Sequence, residues 1–148
     1  MPVRIATAVD IDGWLELRAR LWPETPHDEH RAEIAQMLAR PEGQCAGFIE
    51  ISEETEARAF AEVALRHDYV NGCETSPVAF LEGIYVHPEH RRAGLGRALL
   101  AAIRAWAREQ GCTELASDAY LDNVESHAFH AALGFEETQR VVYFRKAL

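Results

Sequence analysis

The 148-residue sequence predicts a single α+β domain, residues 1–148, with a twisted mixed sheet that is mostly antiparallel. Short apolar stretches alternate with segments of helical periodicity, a pattern that favours helices on a sheet. The early strands follow each other closely, as in hairpins. No repeat, low-complexity tract or linker divides the chain, and its length suits one core. We expect about six to seven strands and about four helices.

Turn signals divide the first half into a strand, two helices and a hairpin. "VRIATA" predicts the first strand, and Asp10 can cap a helix that stops before Pro23. A second helix is expected from about His27 to Ala39, with Pro41 after it. "CAGFIEIS" and "ARAFAEVAL" then predict two strands joined by the acidic turn "EETEA".

The second half alternates strands with helices. "VAFLEGIYV" is typical of a strand buried on both faces, although Glu82 and Gly83 interrupt it. Helices are predicted from Leu95 to Gln110 and from Asn123 to Leu133, each stopped by a glycine. "ELASDAY" between them and "VVYFRK" at the end predict the remaining strands.

Composition narrows the class of partner. The formal net charge of −9 disfavours nucleic acid and suits a cationic ligand, although solubility alone would also explain it. No apolar window is long enough to cross a bilayer, and "MPVRIATAVD" lacks the apolar core of a secretion signal. Cys45, Cys73 and Cys112 are scattered and odd in number, which indicates reduced thiols. We therefore expect a cytoplasmic protein without nucleic-acid or membrane partners.

A glycine loop, R-x-x-G-x-G at Arg91–Gly96, is the first candidate binding site. The nucleotide-hydrolase string G-x-x-x-x-G-K-[ST] is absent, and Leu99 stands where a dinucleotide fingerprint needs a small residue. Glycines let bare N–H groups approach an anion, and the helix that follows points its positive end at the same place. The loop suits a pyrophosphate, and an ordinary surface loop is the alternative.

The glycine loop together with "NVESHAFHAALGF", Asn123 to Phe135, resembles the acetyl-CoA site of the GNAT N-acetyltransferase superfamily. The resemblance implies a GNAT-like fold with acetyl-CoA as co-substrate. In that family, strand backbone groups hold the pantetheine arm and loop amides hold the pyrophosphate. The positions it assigns to acetyl-CoA are Ile84, Tyr85, Val86, Arg92, Ala93, Gly94, Leu95, Gly96, Arg97 and Asn123.

Further segments resemble aminoglycoside 6'-N-acetyltransferases within that superfamily: "LWP", "RHDYVNGCETSPVAFLEGIYV", "ASD", "ALGFEE" and "RVVYFRK". The resemblance implies a homodimer whose C-terminal region helps to complete the acceptor site. It assigns antibiotic contacts to Trp22, Tyr69, Glu82 and Asp118. Carboxylates suit a polycationic sugar, and aromatic rings can cover sugar faces. The chain departs from its relatives at Thr25, where some carry histidine, and at Gln139, where they carry an acid.

The expected reaction is direct attack of the antibiotic's 6'-amine on acetyl-CoA, which would confer resistance. Glu82 is the first candidate to accept the amine proton, with Asp118 holding the amine or sharing that role. His130 stands where many GNAT enzymes place a proton-donating tyrosine, and a packed histidine is equally compatible.

Several alternatives stay open at this level. Trp22 could belong to the core, Tyr69 could close a turn, Glu82 could pair with an arginine, and Asp118 could cap a loop. The acceptor could instead be a polyamine or a protein amino terminus, or the chain could be a non-catalytic coenzyme A-binding module. We expect no metal, because the histidine pairs spaced three apart lack a convincing third ligand.

Overall fold

The computed structural model describes residues 3–148, which form one five-stranded sheet with helices on both faces. The strands are β1 (Arg4–Ile5), β2 (Cys45–Ile51), β3 (Ala57–Arg66), β4 (Val78–Val86) and β5 (Leu115–Ser117). The helices are α1 (Ile11–Leu21), α2 (His27–Ala39), α3 (Leu95–Glu109) and α4 (Val124–Ala132). Short 3-10 turns cover Ala8–Asp10 and Pro88–His90. The predicted α+β class and the four helices are confirmed.

The strands lie in sequence order, and every neighbouring pair is antiparallel except the parallel pair β4 and β5. The mixed, mostly antiparallel sheet is therefore confirmed. The expected six to seven strands are five within residues 3–148, and the prediction of a last strand at "VVYFRK" is wrong for this chain alone. That segment finds no strand partner in its own sheet, and its apolar side chains stay exposed.

Two apolar layers hold the helices to the sheet. On one face, α3 contributes Leu99, Ile103 and Trp106 to a cluster with the small residues of the central strands. On the other face, α1 and α2 contribute Trp14 and Ile34 to a cluster. The clusters stabilise the fold because they remove large apolar side chains from water on both sides of one sheet.

Asp10 plays a different part from the expected one. It occupies the N-cap position of α1, but its side chain makes no capping bond to that helix. Its carboxylate instead accepts from the Thr7 N–H at 2.8 Å and from both terminal nitrogens of Arg4 at 2.7 Å. The Arg4 guanidinium, aided by the Thr7 N–H, holds the pKa of Asp10 below its usual value. Asp10 therefore does not cap α1 as predicted, but bonds the N-cap residue Thr7 of the preceding 3-10 turn and forms an ion pair with Arg4.

Candidate active site

β4 and β5 separate part-way along the sheet and leave one edge of β4 open. Ala79, Phe80 and Leu81 pair with β5, whereas β4 continues to Val86 with β3 as its partner. The backbone groups of Ile84 and Val86 therefore point away from β3 and have no strand partner, whereas those of Tyr85, between them, point toward β3. An open strand edge of this kind binds extended, amide-containing molecules. The three residues that the sequence assigns to the pantetheine arm lie there.

The glycine loop joins this open edge to the start of α3. Arg92 and Gly94 both adopt positive φ, +65° and +81°, which turns the backbone sharply before the helix begins at Leu95. Successive residues of alternating hand point their N–H groups into one concavity, and the helix N-terminus adds its positive end. Arg92 and Arg97 are exposed beside it. The loop thus offers what a diphosphate requires.

The two glycines of the loop serve different purposes. A side chain at Gly94 would meet nothing within 4 Å, so glycine is needed there for its positive φ. A Cβ at Gly96 would lie 3.4 Å from the Phe129 ring of α4, an ordinary van der Waals contact, so Gly96 marks where α3 packs on α4. Asn123 caps α4, its Oδ1 accepting from the Ser126 N–H at 3.2 Å. The cap places Asn123 at the helix end, with its amide N–H groups available as donors.

Glu82 lies at a β-bulge in the middle of β4. Glu62 pairs with Gly83 and Val63 with Leu81, so Glu82 is the extra residue on its strand. A bulge re-aims the side chain that it carries. The Glu82 carboxylate is 38% exposed and lies 3.1 Å from the Arg66 guanidinium. The structure therefore shows the arginine pairing that the sequence left open, on the solvent side of the strand.

Trp22 covers the residue next to Glu82. A Cβ at Gly83 would lie 2.6 Å from the Trp22 ring, so the ring rests directly on the β4 backbone. The Arg18 guanidinium lies 5.0 Å from the ring centroid, and Phe60 meets the ring edge-on. Trp22 is half-buried, so it belongs neither to the buried core nor to the fully exposed surface. Trp22 and Glu82 line one open pocket of about 350 Å³.

Acidic side chains from three elements line this pocket, which we call the acceptor pocket. Its wall includes Glu33 of α2, Glu62 of β3 and Glu82 of β4. The other lining residues are Arg18, Trp22, Gln36, Met37, Arg40 and Ala64. The two exposed carboxylates, Glu33 and Glu82, together with the Trp22 ring suit a ligand that carries ammonium groups and sugar rings.

A buried ion pair forms the floor of the acceptor pocket. Arg18 Nε donates to Glu62 Oε2 at 2.7 Å, and the Trp14 indole N–H donates to the same oxygen at 2.8 Å. Burial raises the pKa of the Glu62 carboxyl, and the Arg18 charge and these hydrogen bonds oppose that shift. Glu33 contacts Arg18 from the pocket side at 2.8 Å. Arg18 therefore orients two of the three acids.

His30 helps to position Trp22 through a hydrogen bond to its backbone. Its Nε2–H donates to the Trp22 carbonyl at 3.1 Å, which leaves Nδ1 to accept from Arg18 Nη1 at 3.3 Å. The imidazole is fully buried and stacks beside the Trp22 ring. These bonds give His30 a structural role, as expected for a packed histidine.

Tyr69 and Asp118 do not line the acceptor pocket in this chain. Tyr69 is 73% exposed on the loop after β3. Asp118 is exposed and directly follows β5. Because Leu81 and Ser117 are register partners, Glu82 and Asp118 are the next residues along two parallel strands. They flank the point where the strands separate, on opposite sides of the open edge.

His130 lies close to that point on α4. Its Nδ1–H donates to the Ser126 carbonyl at 2.7 Å, and its Nε2 lies 2.8 Å from the Ser117 hydroxyl. Phe129 and Phe135 pack against the ring. The histidine is held on both nitrogens, so the structure documents a packing role and leaves any part in proton transfer as a prediction.

The sequence prediction did not include Arg18, Glu33 and Glu62 in the site. Glu62 interrupts the apolar strand "AFAEVAL" in the same way that Glu82 interrupts "VAFLEGIYV", so the same signal could have found it. Helical periodicity puts Arg18 on the apolar face of the first helix, where a charged residue needs a buried partner. Glu33 has no such local signal.

Comparison with known proteins agrees with this geometry. The acetyltransferase (GNAT) family profile matches residues 11–135. The chain therefore belongs to the GNAT acetyltransferase family, with its strand, diphosphate-type loop and helix in the expected order. Its relatives over nearly the whole length are aminoglycoside 6'-N-acetyltransferases. One from Stenotrophomonas maltophilia is 53% identical over 99% of this chain and 93% of that protein.

Solved structures give the same result. The aminoglycoside antibiotic 6'-N-acetyltransferase AAC(6')-IG from Acinetobacter haemolyticus has a TM-score of 0.94 at 46% identity, covering 100% of this chain and 99% of that one. AAC(6')-Iy, solved with the bisubstrate analogue CoA-S-monomethyl-acetylneamine, has a TM-score of 0.91 at 42% identity, covering 99% and 97%.

Proposed function

We propose that this protein is an aminoglycoside 6'-N-acetyltransferase that uses acetyl-CoA as co-substrate and thereby confers antibiotic resistance. The observation that carries the proposal is the acceptor pocket, where Glu33, Glu62 and Glu82 stand with Trp22 beside the open edge of β4. The relatives of about 50% identity carry this activity in their names. Residues 1–148 act as one catalytic domain, and the three unpaired cysteines support a cytoplasmic location.

Acetyl-CoA binds along the open edge and at the start of α3. The backbone groups of Ile84 and Val86, on either side of Tyr85, bond the pantetheine arm. The amides of residues 92–97 and the exposed side chains of Arg92 and Arg97 hold the diphosphate, and Asn123 donates its amide N–H groups. Positive φ at Arg92 and Gly94 supports this assignment, because it turns the loop amides toward one anion.

The aminoglycoside binds in the acceptor pocket through its ammonium groups. Arg66 already pairs with Glu82 at 3.1 Å, and both side chains are substantially exposed. Such a surface pair contributes about 1 kcal/mol or less, so a substrate ammonium can compete for the same carboxylate. Trp22 covers a sugar face, while Asp118 and Tyr69 close the site from the far side of the open edge.

In the reaction, the substrate amine loses a proton to Glu82, directly or through water, and then attacks the thioester carbonyl carbon. A carbon–nitrogen bond forms, the carbon–sulfur bond breaks, and the thiolate that leaves takes up a proton. N–H groups of residues 84–86 stabilise the negative charge that develops on the carbonyl oxygen. Asp118 holds the amine in position for its attack on the carbonyl carbon. Correct placement of the amine supplies much of the rate.

A thiol-release assay with acetyl-CoA tests the activity on 6'-amino and 6'-hydroxy aminoglycosides, spermidine and a peptide. We expect turnover of the 6'-amino compounds alone, because acidic side chains and the Trp22 ring line the acceptor pocket. Turnover of spermidine or the peptide instead would assign a different acceptor. Acetyl-CoA binding without turnover of any amine would identify a binding module.

Glu82→Gln and Asp118→Asn test the proton acceptor and its neighbour. Loss of a general base lowers the rate by about 10²-fold or more, so kcat/KM should fall while acetyl-CoA affinity stays unchanged. Glu53→Gln, an exposed acid on the turn between β2 and β3, is the matched control and should behave as the wild type. Wild-type kcat/KM in both site variants would refute these roles.

We further propose that the enzyme is a homodimer in which the C-terminal segment, residues 141–148, binds the partner. Val142, Tyr143 and Phe144 are 76%, 81% and 92% exposed, a run of apolar side chains that water disfavours. In the described sheet β5 has β4 as its one strand neighbour, so its outer edge is open to a strand from a second copy. Thr138 lies against Gly72, on the same loop as Tyr69. The chain that leads into the segment therefore packs on the loop that carries Tyr69.

A further inference from the structure

Two histidines and a glutamate meet at the short turn between β4 and the glycine loop. One ligand atom each from His87, Glu89 and His90 lies within 4.8 Å of the others. The 3-10 turn Pro88–His90 explains this, because residues three apart lie on the same side of such a helix. The imidazole rings are 5.6 Å apart and tilted by 52°, so they converge without stacking.

A fourth polar group reaches the turn from another part of the chain. Glu56, which ends the turn between β2 and β3, places its Oε2 3.5 Å from His90 Nε2. The His87 N–H donates to the Arg58 carbonyl at 2.8 Å, which holds the two turns together. Metal–ligand bonds of about 2.0–2.1 Å in a tetrahedral site separate neighbouring ligand atoms by about 3.3 Å. The spacing of Glu56 and His90 is close to that value and too long for a good hydrogen bond.

His90 Nε2 is the observation that points to a ligand. This nitrogen is buried from solvent and has no hydrogen-bond partner among the described residues. A buried polar atom left in this state costs stability unless something else satisfies it. Glu56 Oε2 lies 3.5 Å from this nitrogen, and an ion bound to both atoms would satisfy both.

We propose that His87, Glu89, His90 and Glu56, here called the His–Glu cluster, bind one divalent transition-metal ion such as Zn²⁺. Two imidazoles and two carboxylates match a borderline ion of this class, whereas Mg²⁺ and Ca²⁺ prefer oxygen ligands throughout. The charges also balance, because two carboxylates neutralise one divalent ion. The sequence shows His87 and His90 three residues apart, and the fold brings Glu89 and Glu56 close to them.

The ion would join two segments that are distant in sequence. Glu56 belongs to the β2–β3 turn, and His90 directly precedes the glycine loop at Arg91. Arg91 Nε donates to the Val86 carbonyl at 3.0 Å, so the loop is anchored on the strand side already. The metal site lies outside the acceptor pocket and takes no part in acetyl transfer. Its role is to fix the entrance of the loop.

Metal titration of protein without a histidine tag tests the proposal. Calorimetry with Zn²⁺ should show one ion per chain with micromolar or tighter affinity, and Co²⁺ should give the visible absorption bands of a four-coordinate ion. The thermal midpoint should rise with Zn²⁺, because an ion that binds the folded state stabilises it. Absence of saturable binding to the wild type would overturn the proposal.

Variants identify the ligands independently of activity. His87→Ala, His90→Ala and Glu89→Gln should each weaken Zn²⁺ affinity by about tenfold or more, and Glu56→Gln should weaken it similarly. Glu89 is exposed, so its variant separates ligand loss from misfolding. His67→Ala and Cys73→Ser, outside the cluster, are the controls and should bind as the wild type. Wild-type affinity in both histidine variants, or loss of binding in a control, would refute the assignment.

Discussion

At the scale of single residues, Glu82 and Gly83 are neighbours with opposite requirements. The Glu82 side chain points away from the direction that a regular strand would give it, because the bulge in β4 re-aims it. Gly83 needs to be small, because the Trp22 ring occupies the space of a side chain. The acceptor pocket depends on both, since one residue provides a carboxylate and the other seats the ring beside it.

Gly83→Ala should therefore impair acceptor binding. The new Cβ would lie 2.6 Å from the Trp22 ring, and the ring would have to move. Overpacking costs about 1–3 kcal/mol, and we expect about a tenfold rise in KM for the aminoglycoside with a smaller effect on KM for acetyl-CoA. Steady-state kinetics and thermal unfolding measure the two effects.

Gly13→Ala is the matched control for that prediction. Its Cβ would lie 2.8 Å from the Ala57 side chain, a similar clash between α1 and β3 away from the pocket lining. It should lower stability without changing either KM. Equal changes in aminoglycoside KM for both variants would mean that general destabilisation, rather than the position of Trp22, controls binding.

At the scale of elements, the start of α3 combines a strained loop with a helix end. Gly94 is the N-cap with φ of +81°, and Gly111 follows the C-terminal end of the same helix with φ of +86°. A Cβ added at either position would meet no other atom within 4 Å, so each glycine is required for backbone conformation alone. The two ends of one helix thus provide a direct comparison.

Gly94→Ala should weaken acetyl-CoA binding, whereas Gly111→Ala should not. Each substitution places alanine in the left-handed region and costs about 1 kcal/mol of stability. At Gly94, relief of that strain re-aims the loop amides, so we expect a severalfold rise in the Kd for acetyl-CoA by calorimetry. Equal Kd values for the two variants would show that the loop conformation does not control binding.

At the scale of the whole molecule, the chain leaves an apolar C-terminal segment in water. No helix in the described part of the chain is both long and apolar enough to span a bilayer. The exposed segment stands out in a protein with a formal net charge of −9. A second copy is the partner that the open edge of β5 supports best, because edges pair readily with extended chains.

Phe144→Glu should convert the proposed dimer into a monomer. A charge in the centre of the exposed segment would have to be desolvated at an interface, at a cost of several kcal/mol. Size-exclusion chromatography with light scattering measures the mass. Val9→Glu is the control, since Val9 is 87% exposed outside the segment. A monomeric wild type, or a dimeric Phe144→Glu variant, would contradict the proposed assembly.

Local sequence patterns were enough to predict most of the helices and strands of the fold. The second helix has the predicted bounds, His27–Ala39, and α3 begins at the predicted Leu95. Helical periodicity and the punctuation by glycine and proline act over a few residues, so a single sequence displays them. The order of the cofactor elements could be predicted for the same reason, and the family could be predicted because the glycine loop and Asn123 to Phe135 resemble its acetyl-CoA motifs.

The acceptor pocket and the His–Glu cluster were decided by the tertiary structure. Arg18 and Glu62 are 44 residues apart, and their contact depends on how α1 lies across the sheet. Glu56 meets His90 because the start of β3 and the end of β4 lie at the same end of the sheet. The unpaired final segment is likewise a property of sheet order. Such contacts follow from global packing, which no window of a single sequence contains.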